Sequence, residues 1–156
     1  MLIPKLLPIV HEPNPILRAR SKEIDSAQWE AKELRQLAAD MLLTMQKAPG
    51  VGLAAPQIGK SIRLIIVERT PEPLVLINPK IVGHSLRTHI LEEGCLSVPG
   101  KFGLIKRYRT VKVKAQTLDG KPFFMAAKGF LAEIFQHEID HLNGILYIDK
   151  TIKFIS

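Results

Sequence analysis

At 156 residues the chain fits one domain, residues 1–156, long enough to bury roughly two thirds of the surface its unfolded form exposes. A hydrophobic share of 46% and a charged share of 24% exclude a disordered chain, and no apolar run reaches the roughly 20 residues a membrane helix needs. The net charge of +7 comes from dispersed basic residues, so a nucleic-acid partner read by sequence is not expected.

The opening MLIPKLLPIV is interrupted by Pro4 and Pro8 and lacks a small-residue cleavage site, which reads as the start of a cytoplasmic protein. Apolar residues at Leu34, Leu37, Ala38, Met41, Leu42 and Met45 recur at spacings of three and four, predicting an amphipathic helix over 26–47. Ser26 is the expected cap and Pro49-Gly50 the stop. The following segment, Gly50 to Gly59 (GVGLAAPQIG), has small residues that let a substrate backbone approach, and Gln57 offers an amide donor. It lacks the Lys-Ser/Thr of a phosphate-binding loop and follows a helix rather than a strand, which argues against a nucleotide site.

Short β-like runs follow at 62–67, 74–77, 111–115 and 123–126, punctuated by Pro, Gly and Asp-Gly. Residues 101–114 hold six Lys or Arg and read as a β-hairpin with a solvated basic face. A second helix is predicted over 128–142, with Asn143-Gly144 supplying a left-handed stop. The expected fold is α+β: mixed or antiparallel strands packed around a central C-terminal helix, with the amphipathic helix N-terminal to them.

His137-Glu138-Ile139-Asp140-His141 is an HExxH pattern, and on a helix its two imidazoles lie one turn apart, able to bind one metal with Glu138 beside it. A catalytic site of this kind uses three protein ligands and leaves a fourth position open. Tyr147 stands where a metzincin has its third histidine, and the only acidic residue after the motif is Asp149. Cys95, the only cysteine, in Glu93-Gly94-Cys95-Leu96-Ser97, is the remaining candidate. A thiolate with two imidazoles suits Zn(II) or Fe(II). An endopeptidase would give Cys95 no special role, and a non-enzymatic metal or RNA-binding module would give none to Glu138.

Taken together, GVGLAAPQIG, EGCLSVPG and QHEIDHLNG resemble the three motifs of the peptide deformylases, in that family's order and with similar separations. Weaker likeness extends over PNPILR, LINP and GILY. The resemblance implies hydrolysis of the N-formyl group from formyl-methionyl peptides of nascent chains, with Fe(II) as native metal and Zn(II), Ni(II) or Co(II) as substitutes. It assigns metal ligation to Cys95, His137 and His141, proton transfer to Glu138, and transition-state hydrogen bonding to Gln57 and the Leu96 backbone N–H. Gly50, Val51, Gly52, Gly94 and Ile134 would line the substrate site, and Glu93 and Arg107 would form a supporting ion pair. The implied chemistry is attack by hydroxide generated at the metal, with Glu138 as general base and then acid. Gln136 is expected to support the helix or the residues around the ligands, Asp140 to orient a ligand histidine or face water, and His11, His84 and His89 to be peripheral. Ribosome association is the family's further expectation; twelve residues follow Gly144, where many members continue into another helix.

Overall fold

A computed structural model of the chain describes residues 2–155 except 26 and 28. Helix α1 spans Ala31–Lys47 and helix α2 spans Gly129–Leu142. Strands β1 (Gly52–Ala54), β2 (Leu64–Val67), β3 (Leu74–His84), β6 (Thr110–Gln116) and β7 (Pro122–Lys128) form one antiparallel sheet in the order β1-β2-β3-β6-β7. Strands β4 (Thr88–Cys95), β5 (Val98–Tyr108) and β8 (Thr151–Phe154) form a second antiparallel sheet, order β4-β5-β8. The fold is α+β, with α2 as its central element.

Burial explains the strand patterns. In β6, Val111, Val113 and Ala115 are buried while Lys112, Lys114 and Gln116 face solvent, the alternation of a half-covered sheet. All four residues of β2 are buried, because α2 packs on one face of the sheet there and α1 on the other. Ile65 and Val67 join the cluster of Phe135 and Ile139 on α2, while Leu64 and Ile66 join Leu37 and Met41 on α1. Continuous apolar sequence is the expected signature of a strand covered on both faces.

Helix α1 begins at Ala31, five residues later than the periodicity predicts, with Glu30 at its N-cap and no side-chain cap bond. Upstream, Asp25 Oδ1 accepts from Ala27 N–H at 2.9 Å, a local turn that competes with helix. Ser26, the expected cap, lies outside the described residues. Helix α2 ends as expected: Gly144 has φ +76°, and its N–H donates to His141 O at 3.1 Å.

The basic segment 101–114 is not one hairpin. Its first half belongs to β5, which turns back on β4 and also pairs with β8, whereas its second half belongs to β6, which pairs with β3 and β7. The chain crosses between sheets at Arg109. Nor is its charge all solvated, since Arg107 is buried. Gly103, which interrupts the apolar pattern of β5, lets β8 come close: a Cβ there would meet Thr151 Cγ2 at 2.6 Å.

Candidate active site

Three pieces of chain converge along one face of α2. The β4–β5 turn brings Cys95, the HExxH turn brings His137, Glu138 and His141, and the segment after α1 brings Gly52 and Gln57. The ligand atoms of Cys95, His137 and His141 all lie within 4.8 Å of one another. Cys95 Sγ is 3.3 Å from His141 Nε2. On the far side of His137, Nδ1 meets Glu93 Oε1 at 2.7 Å, which turns Nε2 toward the cluster.

Glu93 is itself held. Arg107 donates to both its oxygens, Nε to Oε2 and Nη2 to Oε1, each at 2.8 Å, and its Nη1 donates to Asp140 Oδ2 at 2.8 Å. The fork geometry matches a carboxylate with two parallel bonds. Burial alone would raise the Glu93 pKa, but the Arg107 and His137 contacts outweigh it and lower the group to about 2. The expected Glu93–Arg107 pair is therefore present and buried, and Asp140 faces Arg107 and Lys150 rather than a ligand histidine.

The donor set fits a divalent metal. One thiol and two imidazoles are borderline-soft ligands of the kind that Zn(II) and Fe(II) accept. Burial opposes charge on both histidines; at His137 the bond to Cys95 and the Glu138 carboxylate outweigh it and hold the ring well above its ordinary pKa, while at His141 burial and the His137 charge hold it well below. Cys95, His137 and His141 could hold the metal.

Glu138 is 4% exposed, and its Oε1 is buried with no hydrogen-bond partner among the described residues. Burial pushes its carboxyl up to about 7, the range in which a carboxyl can both take and give a proton near neutrality. Gly52 makes room for it: a Cβ on Gly52 would lie 2.6 Å from Glu138 Oε2.

Gln57 is fixed at both ends of its amide. Oε1 accepts from Ala54 N–H at 2.9 Å, so the NH2 points to Ser97 Oγ at 3.1 Å and toward Cys95 Sγ at 3.7 Å. Ser97, fully buried, is a positioning residue that the sequence reading did not single out. Leu96 sits in the β4–β5 turn beside Cys95, and its side chain packs where a Cβ on Gly50 would stand, at 2.8 Å from Leu96 Cδ1. Gly94 also makes room for Phe102, whose ring lies 2.7 Å from where a Cβ on Gly94 would be.

A cleft of about 490 Å³ opens from this cluster, lined by Gly50, Val51, Gly52, Gly94, Leu96 and Ile134 among others. Val51 is 44% exposed at the mouth, and β1 is an edge strand of its sheet. The cleft also takes in Phe102, Phe130, Glu92 and Glu133, which the motifs did not point to. Glu133 was legible in principle, because it stands four residues before His137 and so on the same face of α2. Tyr147 and Asp149 are structural: the Tyr147 hydroxyl donates to Lys101 O at 2.9 Å, and Asp149 pairs with Arg18 and accepts from Leu146 N–H. His84 stacks on Tyr108, away from the cleft.

A family model described as polypeptide deformylase matches residues 6–154. Among curated relatives, a peptide deformylase of Acinetobacter baumannii (strain SDF) is 46% identical over 147 residues, covering 92% of this chain and 82% of the relative. A peptide deformylase of Dictyoglomus thermophilum is 45% identical over 140 residues, covering 90% and 89%. Among solved structures, the Met-Ala-Ser-bound crystal structure of a class I type b peptide deformylase from Acinetobacter baumannii superposes with a TM-score of 0.88 at 39% identity, covering 96% of this chain and 99% of that one.

Proposed function

The chain belongs to the polypeptide deformylase family and is a hydrolase of that kind, and on that premise we propose that it removes the N-formyl group of formyl-methionyl peptides as a metal-dependent enzyme with Glu138 moving the proton. One observation carries the reading: an unpartnered, buried Glu138 oxygen stands beside three converging metal-ligand atoms at the end of a cleft open to an edge strand.

A divalent ion held by Cys95, His137 and His141, Fe(II) natively with Zn(II), Ni(II) or Co(II) able to replace it, would supply Lewis acidity toward water and the formyl carbonyl. Glu138 takes the proton of the attacking water and returns it to the departing amine nitrogen, a double duty suited to a carboxyl lifted to about 7 by burial. The Gln57 amide, already oriented by Ala54 and Ser97, and the Leu96 backbone N–H are the donors for the negative charge that develops on the formyl oxygen. Removing one such donor elsewhere costs about 2.7–4 kcal/mol of barrier.

The edge of β1 at Val51-Gly52 gives an extended peptide backbone partners, which binds any sequence beyond the first residue. The first side chain then lies against α2 at Ile134. Arg107 and Glu93 hold His137 in the tautomer that presents Nε2 inward. No described helix is long and apolar enough to cross a membrane. A cytoplasmic enzyme meeting nascent chains completes the reading.

Formate release from formyl-Met-Ala-Ser, with the acetylated peptide as control, tests it. Formate from the first and no acetate from the second is the expected result; metal-loaded protein that hydrolyses neither contradicts it.

A further inference from the structure

We propose that Glu133 sets the chemistry of the first side-chain pocket, so that it takes unbranched side chains ending in a hydrogen-bond donor or a cation as well as methionine. This rests on the deformylase reading above.

The placement follows from α2. Residues four apart on a helix lie nearly over one another, about 6 Å along the axis, so Glu133 lies one turn before His137, and Ile134 one turn before Glu138. A scissile amide at Glu138 therefore sends the first side chain along α2 toward Ile134 and Glu133, both of which line the cleft.

A pocket built only for a thioether would be apolar at this depth. Glu133 instead puts a carboxyl there that is 8% exposed and, among the described residues, has no ion pair with any Lys, Arg or His. Its neighbour is Glu93, with which it shares a hydrogen bond and whose oxygens are also bonded to Arg107 and His137. No Lys or Arg lines the cleft, and Glu92 adds a further carboxyl to its wall. Burial and the Glu93 charge beside it push the Glu133 carboxyl up to about 7, and an arriving cation offsets the negative charge that this pair of carboxyls shares. Lysine has the unbranched stem to reach it and a compact ammonium at the end.

The test compares kcat/KM for formyl-Lys-Ala-Ser, formyl-norleucyl-Ala-Ser and formyl-Met-Ala-Ser on the metal-loaded wild type and on Glu133→Gln and Glu133→Leu. A ratio between two substrates is independent of how much variant has folded. The wild type is expected to turn over the lysyl peptide comparably to the norleucyl one, with the lysyl-to-norleucyl ratio falling at least about tenfold in both variants, the size of one charged hydrogen bond. Turnover of the methionyl peptide with a ratio unchanged by either substitution, or a wild type that rejects the lysyl peptide as strongly as Glu133→Leu does, overturns the role of Glu133 and leaves the deformylase reading standing. Failure on all three formyl peptides overturns that reading and this inference with it.

Discussion

A Cβ placed on Gly52 would lie 2.6 Å from Glu138 Oε2, so strand β1 and helix α2 sit at a separation that only glycine permits. The carboxyl and the edge strand meet there. Gly52→Ala is expected to push the Glu138 carboxyl aside and lower kcat by about 10²-fold, since a misplacement near 1 Å has that effect on a catalytic group. Metal content should be unchanged. Steady-state kinetics beside metal analysis check it, and a variant with wild-type kcat would show that Glu138 has another position available.

The ligand set predicts its own spectroscopic signature. X-ray absorption on Zn(II)-loaded protein should find one sulfur scatterer at about 2.3 Å and two imidazole nitrogens at about 2.0–2.1 Å. Cys95→Ala should lose the sulfur shell and bind metal more weakly. A sulfur-free first shell in the wild type would exclude Cys95 as a ligand.

The Arg107–Glu93 pair links the Cys95–His137–His141 cluster to stability. Arg107 is 3% exposed and Glu93 7%, so Arg107→Met leaves a buried carboxylate without its fork and should destabilise the fold by about 3–5 kcal/mol in urea denaturation. The pH dependence has a definite sign. Because Glu93 is lowered from 4.5 to about 2 when folded, its contribution is fully present above pH 4.5 and is lost as the pH falls toward 2. That acid-side loss should be smaller in Arg107→Met, and equal slopes in the two proteins would assign the depression elsewhere.

Gly144 has two separate reasons to be glycine. Its φ is +76°, and a Cβ there would lie 2.4 Å from Arg18 O. Gly144→Ala should cost more than about 1 kcal/mol, the usual penalty of a left-handed residue with a side chain, and lower the melting temperature. Activity per folded molecule should change less than in Gly52→Ala, because Gly144 touches the N-terminal segment and not the cleft.

Much of this architecture was legible where one physical requirement dominates the local sequence. Helix α2 reads from its 3.6-residue period and its Asn143-Gly144 stop, and β6 from strict alternation. The second sheet was not legible as such. Strands β4 and β5 carry Glu92-Glu93-Gly94 and Pro99-Gly100, which break the period-2 pattern, because their residues answer to the site: Glu93 to Arg107 and His137, Gly94 to the Phe102 ring. The start of α1 was lost to the turn that Asp25 makes. Within the site, the triplet Cys95, His137 and His141 could be reasoned from ligand chemistry, and Glu133 from its place one turn before His137, whereas Ser97 acts through a contact between segments that no local pattern records.

The most direct test of the central claim is formate release from formyl-Met-Ala-Ser by protein prepared anaerobically with one equivalent of Fe(II), measured beside Glu138→Ala carrying the same metal content. The account predicts turnover by the wild type and near-complete loss in the variant with metal retained. Equal turnover by both, or none from a fully metallated wild type, would contradict it.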